Sequence, residues 1–225
     1  MNPQLPRLLQ LASPALPVGA YSYSQGLEWV VESGTVRDEA SALTWIGDLL
    51  EWNMGRFEAP LLAQMLRACK ANDATRLTQL NMRFLASRES AELHAETLQM
   101  GYSLVRLLSE LGDEGAQPLA LACSFEAHTF PAVWACAAAA WQIEEDAALS
   151  AYLWSWVENQ TMAAIKAVPL GQAAGQRIML ALGNRIAPIV ERAQQLPDAD
   201  FSNFAPGFAI ACSQHETQYS RLFRS

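Results

Sequence analysis

Apolar residues recur at helical spacing in segment after segment of this chain, and the period-two alternation of strands is missing throughout. From 38 to 53, Ala42, Trp45, Ile46 and Leu49 fall at i, i+3, i+4 and i+7, with Thr44, Asp48 and Glu51 opposite. Gly34 closes what precedes, and Thr35 with Asp38 offers a capping-box-like start. The pattern continues through Leu61, Leu62, Met65, Leu66 and Cys69 (57–71), with Pro60 in the first turn, and through Leu77, Leu80 and Phe84 (73–86). From 89 to 111 a seam steps Leu93, Thr97, Met100, Leu104, Leu107, Leu111, and Gly112 to Pro118 is predicted to break it. Alanines between Trp134 and Trp141 make 131–143 a small-residue helix that a neighbour can approach closely. Further helices are predicted at 147–167 and 171–193. The two segments without helical pattern are Ser13–Gly19 and the stretch from Pro197 onward. The fold class is therefore all-α: one domain over 1–225, a bundle of about eight to ten helices, with an N-terminal lead (1–20) and a docking C-terminal tail (197–225).

With 225 residues the chain can bury about 70–75% of its unfolded surface and needs no staples. Charged residues are only 17% of the chain against a usual ~25%, a shortage that fits apolar surface covered by partners. The net charge of −8 repels phosphate backbones and anionic lipid, so neither nucleic acid nor membrane is an expected partner. The first residues lack a signal-peptide design, and the apolar run from Phe130 to Ile143 falls short of the ~20 residues a spanning helix needs. The expected location is cytoplasmic. Cys69, Cys123, Cys136 and Cys212 lie far apart with no C-x-x-C pair, and buried reduced thiols are expected.

Reactive constellations are sparse. The three histidines, His94, His128 and His215, make no Glu-x-x-His, His-x-x-x-His or His-Glu-x-x-His. Gly171-Gln-Ala-Ala-Gly175 has no following Lys-Ser/Thr and reads as small-residue packing. Glu89, Glu92 and Glu96 share a helical face that could attract a cation or a basic partner, but a solvated acidic face is the favoured reading. No catalytic residue, metal ligand set or cofactor is expected.

Three segments stand out. In Ser13-Pro-Ala-Leu-Pro-Val-Gly-Ala-Tyr-Ser-Tyr-Ser-Gln-Gly-Leu-Glu28 the prolines and Gly19 fix a turn, and Gly26 is read as lying inside the following helix. A glycine there costs about 1 kcal/mol relative to alanine and is often kept because something passes close by. Lys166, the only cation between Glu145 and Arg177, precedes a Pro169/Gly171 corner; it either snorkels or meets a partner's carboxylate. The stretch from Pro197 holds four of the eight phenylalanines (Phe201, Phe204, Phe208, Phe223) and Tyr219, the reverse of a disordered composition. Its last ten residues are expected to dock on another protein in preference to packing on their own core, whereas Phe201, Phe204 and Phe208 are expected to pack on the bundle.

The run Leu-Ala-Ser-Pro-Ala-Leu-Pro-Val-Gly-Ala-Tyr-Ser-Tyr-Ser-Gln-Gly-Leu-Glu, then Ser87-Arg-Glu-Ser90 with Glu92, Val168-Pro-Leu-Gly-Gln172 after Lys166, and the closing His215-Glu-Thr-Gln-Tyr-Ser-Arg-Leu-Phe-Arg-Ser225 together resemble the urease accessory protein F family (UreF). The resemblance runs from Gln10 to the last residue. It implies an all-α, non-enzymatic factor in maturation of the nickel centre of urease. Such a factor forms a homodimer, binds the accessory protein D/H, recruits the GTPase accessory protein G to apo-urease, and modulates GTP hydrolysis and nickel release. It further implies that His215, Glu216, Tyr219, Ser220, Arg221, Leu222, Phe223, Arg224 and Ser225, with Pro17, Gly19 and Tyr21, lie at the D/H contact. Lys166, Pro169, Gly171, Gln172 and Glu28 would belong to the face offered to the GTPase. Many members carry histidine where this sequence has Tyr23, which weakens any reading of that position as a nickel ligand. Two alternatives stay open: an arginine finger, Arg221 or Arg224, supplied to the partner GTPase, and a nickel carrier, against which the few histidines argue.

Overall fold

A computed structural model describes residues 4–122 and 125–225; Cys123 lies outside them. The described residues form helices without a strand: α1 (Leu5–Leu11), α2 (Leu27–Glu32), α3 (Glu39–Leu49), α4 (Ala59–Lys70), α5 (Ala74–Ala86), α6 (Ala91–Glu110), α7 (Asp113–Ala122), α8 (Phe130–Ala140), α9 (Glu145–Ala167), α10 (Gln172–Gln195) and α11 (Pro206–His215). Among the described residues no helix is long and apolar enough to cross a membrane. The all-α expectation is met. Cys69, Cys136 and Cys212 are buried free thiols, as expected.

The core is built round α8, which packs against α4, α6 and α7, while α9 and α10 lie along one another. Seven consecutive residues of α8, Ala132 to Ala138, are fully buried, so its alanines let helices close in from several sides. Trp134 fills the centre, edge-on to both Phe130 and Tyr152.

Caps and prolines explain where helices start and how their loose ends are used. Asp38 caps α3 by accepting from Ser41 N–H, and Ser41 returns the bond; Thr35, the expected partner, pairs with Ser33 instead. The two helices predicted at 38–53 and 57–71 are joined by a π-helical run, Leu50–Glu58. Pro60, just beyond it, has no N–H to give the Arg56 carbonyl, which accepts instead from Ser202 N–H at 3.1 Å.

Two predicted breaks are helical. Only Gly112, at φ 60°, interrupts the chain after α6; α7 begins at once and contains Pro118. The carbonyl that Pro118 leaves free, that of Glu114, accepts the Trp141 indole N–H at 2.9 Å. Past Pro197, the connection to α11 is pinned at Asp198, whose carboxylate takes Arg76 at 3.1 Å, Arg83 at 2.7 Å and Gln64 at 3.1 Å. In α11 itself, Phe208, Ala211, Cys212 and His215 are buried, and Phe208 and Cys212 pack with Leu49 of α3 and Leu93 of α6. Phe201 is half-buried under Arg83, but Phe204 is 80% exposed, against the expectation that it packs on the bundle.

A candidate docking site around the C-terminal tail

After α11 the chain turns back across α2 and α6, and four backbone groups near its end are bonded to distant parts of its own protein. Leu222 N–H and Phe223 N–H donate to the two oxygens of Glu28, at 2.6 and 3.1 Å. Arg224 N–H donates to Ser22 O at 2.8 Å, and Ser225 O accepts from Ser24 N–H, Gln25 N–H and Ser24 Oγ–H. Phe223 and Ser225 are buried. Self-packing, the reading not favoured from sequence, describes these residues.

The receptor for the tail is a set of carboxylates on α2 and α6. Glu92 faces His215 Nδ1 at 2.7 Å and Arg221 Nη1 at 2.5 Å, and Glu28 faces His215 Nε2 at 3.4 Å. Glu96 accepts from Ser225 Oγ–H at 2.8 Å and from Gln25 Nε2–H at 2.7 Å. The solvated acidic face expected for this stretch is therefore corrected: only Glu89 is exposed, Glu92 is half-buried and Glu96 is buried. Burial raises the Glu96 carboxyl to about 7, against the opposing hydrogen bonds from Gln25 and Ser225 and the nearby Arg88 charge. Beneath it Arg88 and Glu58 form a buried pair at 2.8 Å, with Tyr152 donating to Glu58.

Gly26 is the hinge of this arrangement. It is not inside a helix but at the N-cap of α2, with φ 74°. A Cβ there would stand 2.8 Å from Cys212 N and 2.9 Å from Ala211 C, so α11 can cross only over glycine. The element suspected of passing close by is α11.

The residues singled out from sequence differ in exposure. Tyr219, Ser220, Arg221, Leu222, Arg224 and Glu216 are exposed, Tyr219 and Leu222 most plainly at 105% and 72%. Pro17 and Gly19 sit exposed on the N-terminal turn, and half-buried Tyr21 bonds Glu158. His215, Phe223, Ser225 and Glu28 are enclosed, so they hold the tail's shape and leave contact to their neighbours. Glu28, expected on the GTPase face, is buried and bonds the tail backbone. Pro169, Gly171 and Gln172 are exposed at the corner after α9. Lys166, in the last turn of α9, lies 5.6 Å from the centre of the Phe223 ring, which brings the corner after α9 and the tail together. Sequence reasoning passed over Ser24, Gln25, Glu92 and Glu96 as tail anchors. The one available signal was Glu92 and Glu96 at i, i+4, a repulsive spacing that some other contact must offset. Among the described residues no group of three His, Cys, Asp or Glu side chains is arranged to hold a metal ion.

A sequence model of the UreF family matches residues 36–183. The urease accessory protein UreF of Azoarcus sp. (strain BH72) is 62% identical over 221 residues, covering 97% of this chain and 94% of that one. This chain belongs to the UreF family. The UreF of Dechloromonas aromatica (strain RCB) is 60% identical over 223 residues, covering 99% of this chain and 98% of the relative. A third relative, the bifunctional urease accessory protein UreEF of Bordetella bronchiseptica, is 48% identical over 225 residues, and there the UreF-like part is 52% of the whole. Membership gives the tail and its carboxylate receptor a context, that of a urease accessory protein.

Proposed function

We propose that this UreF-family chain is a non-enzymatic scaffold of urease maturation. It links the accessory D/H protein and the GTPase accessory protein G to apo-urease and modulates GTP-dependent nickel insertion. The carrying observation is the tail, whose buried anchors fix the position of side chains left in solvent. Glu28, Glu92 and Glu96 fix its path, and Tyr219 and Leu222 project from that path. An ordered, exposed aromatic and leucine lose little freedom when a partner covers them, which favours binding. The UreEF relative, two accessory proteins in one chain, supports work in close company with other maturation factors. The charge of −8 supports proteins as the partners, with neither nucleic acid nor membrane among them, and a cytoplasmic place of action as a homodimer accords with the family.

Apo-urease mixed with the D/H protein, the G protein, GTP and nickel should gain activity when this chain is added and stay largely inactive without it. Equal activation without it would sink the scaffold reading. The arginine-finger alternative narrows to Arg224, since Arg221 is engaged by Glu92 while Arg224 has no carboxylate partner among the described residues. Single-turnover GTP hydrolysis by the G protein is expected to be the same with Arg224→Ala. A loss on the order of 10³-fold would instead establish a finger.

A further inference from the structure

Lys166 and Arg224 are among the few cations with no carboxylate at ion-pair distance in the described residues, whereas most arginines of this acidic chain are ion-paired. Both line one surface groove of about 510 Å³, whose remaining walls are Tyr21, Ser22, Leu222 and Phe223. The two cations are held from behind. The Lys166 ammonium stands over the Phe223 ring, and the Arg224 backbone is tied to Ser22 O. The Arg224 side chain reaches the Tyr23 hydroxyl, and Glu158 is engaged by Tyr21.

We propose that this groove seats an extended acidic segment of a protein partner, with one Asp or Glu side chain between Lys166 and Arg224 and an apolar neighbour against Leu222. Three features select that occupant. Two cations on one groove, Lys166 over the Phe223 ring and Arg224 tied by its backbone to Ser22, suit a carboxylate. The overall charge of −8 keeps out polyanions such as nucleic acid, which would meet repulsion everywhere else. Leu222, 72% exposed at the rim, offers apolar area that a free anion would not use. The groove also draws its walls from both sets of residues, those expected at the D/H contact and the Lys166 corner. The groove takes one segment, so one of the two partners fills it and the other docks beside it. This rests on the scaffold reading above and adds the chemistry of the segment.

Zero-length coupling with a carbodiimide tests it, because it joins a lysine amine to a carboxylate only where the two touch. The full chain is mixed separately with purified D/H protein and purified G protein, coupled, digested and read by mass spectrometry, with affinities measured in parallel. The expected product is an amide between Lys166 and an Asp or Glu of one partner. Lys166→Arg should bind normally and lose that product. The double variant Lys166→Glu/Arg224→Glu should bind that partner about tenfold or more weakly at low salt, a gap that narrows at high salt. If that double variant fails to fold, the Lys166→Arg coupling result decides alone. Binding within twofold of wild type by a folded double variant, or partner adducts only through Lys70, would overturn the groove and leave the scaffold standing. A wild-type chain that binds neither partner would sink the scaffold reading and the groove with it.

Discussion

Helix α8 and the last ten residues are both held firmly, but by opposite means. Ala132 to Ala138 are buried among apolar neighbours, their one side-chain hydrogen bond being the weak thiol contact of Cys69 to Cys136 at 3.8 Å, and the indole N–H of Trp134 has no partner among the described residues. Residues 216–225 bury little more than Phe223 and Ser225, and rely on directional bonds to Glu28, Glu92, Glu96, Ser22 and Ser24. Apolar packing tolerates many arrangements and contributes most of the stability; a ladder of hydrogen bonds to fixed carboxylates admits one register. The bundle supplies the platform, and the tail supplies a surface of defined shape.

Four changes would sharpen or break that contrast. Trp134→Ala empties the middle of the core and should cost about 3–5 kcal/mol in urea unfolding. A loss below ~1 kcal/mol would mean that the core sits elsewhere. The next effect is one of pH. The folded Glu96 carboxyl at about 7 lies above its ordinary 4.5, so the folded state holds the extra proton between those values. Its contribution is complete below about 4.5 and declines as pH rises toward 7, by on the order of 3 kcal/mol. Tm against pH should therefore fall more steeply from 5 to 8 in wild type than in Glu96→Gln, to roughly the extent those energies allow; parallel curves would remove Glu96 from the account of the tail.

Glu28→Gln puts an amide N–H opposite a backbone N–H donor, at a cost of about 1–3 kcal/mol confined to the tail. Hydrogen exchange at Leu222 and Phe223 should quicken roughly 10- to 100-fold while α8 amides hold their protection. Equal acceleration in both regions would show that tail and bundle open as one unit. The smallest expected effect on folding belongs to Tyr219→Ala with Leu222→Ala, within about 0.5 kcal/mol, because both side chains stand in solvent.

Most of the bundle was legible because a helix advertises its buried face within a few residues, as at Ala42, Trp45, Ile46 and Leu49. Where it failed, the cause was punctuation. Pro118 stood for a break although its missing N–H frees the Glu114 carbonyl for Trp141. Pro206 and Gly207 obscured α11, although Phe208, Ala211, Cys212 and His215 have helical spacing. The tail's aromatic composition marked it as ordered. Its receptor was not legible, because Glu92 and Ser225 are brought together only by the folded chain, and a carboxylate on a helix looks the same whether it meets water or a distant backbone. Gly26 lies between these cases: the sequence pointed to a close approach, and only the structure names α11.

The most direct test of a docking tail is the affinity of the purified chain for the D/H protein, in wild type and in Tyr219→Ala/Leu222→Ala, with both shown to be equally stable. An exposed anchor pair at a binding centre should raise Kd by about 30-fold or more. An unchanged Kd with unchanged stability would contradict the central claim, and leave the ordered tail as a fastening of the fold alone.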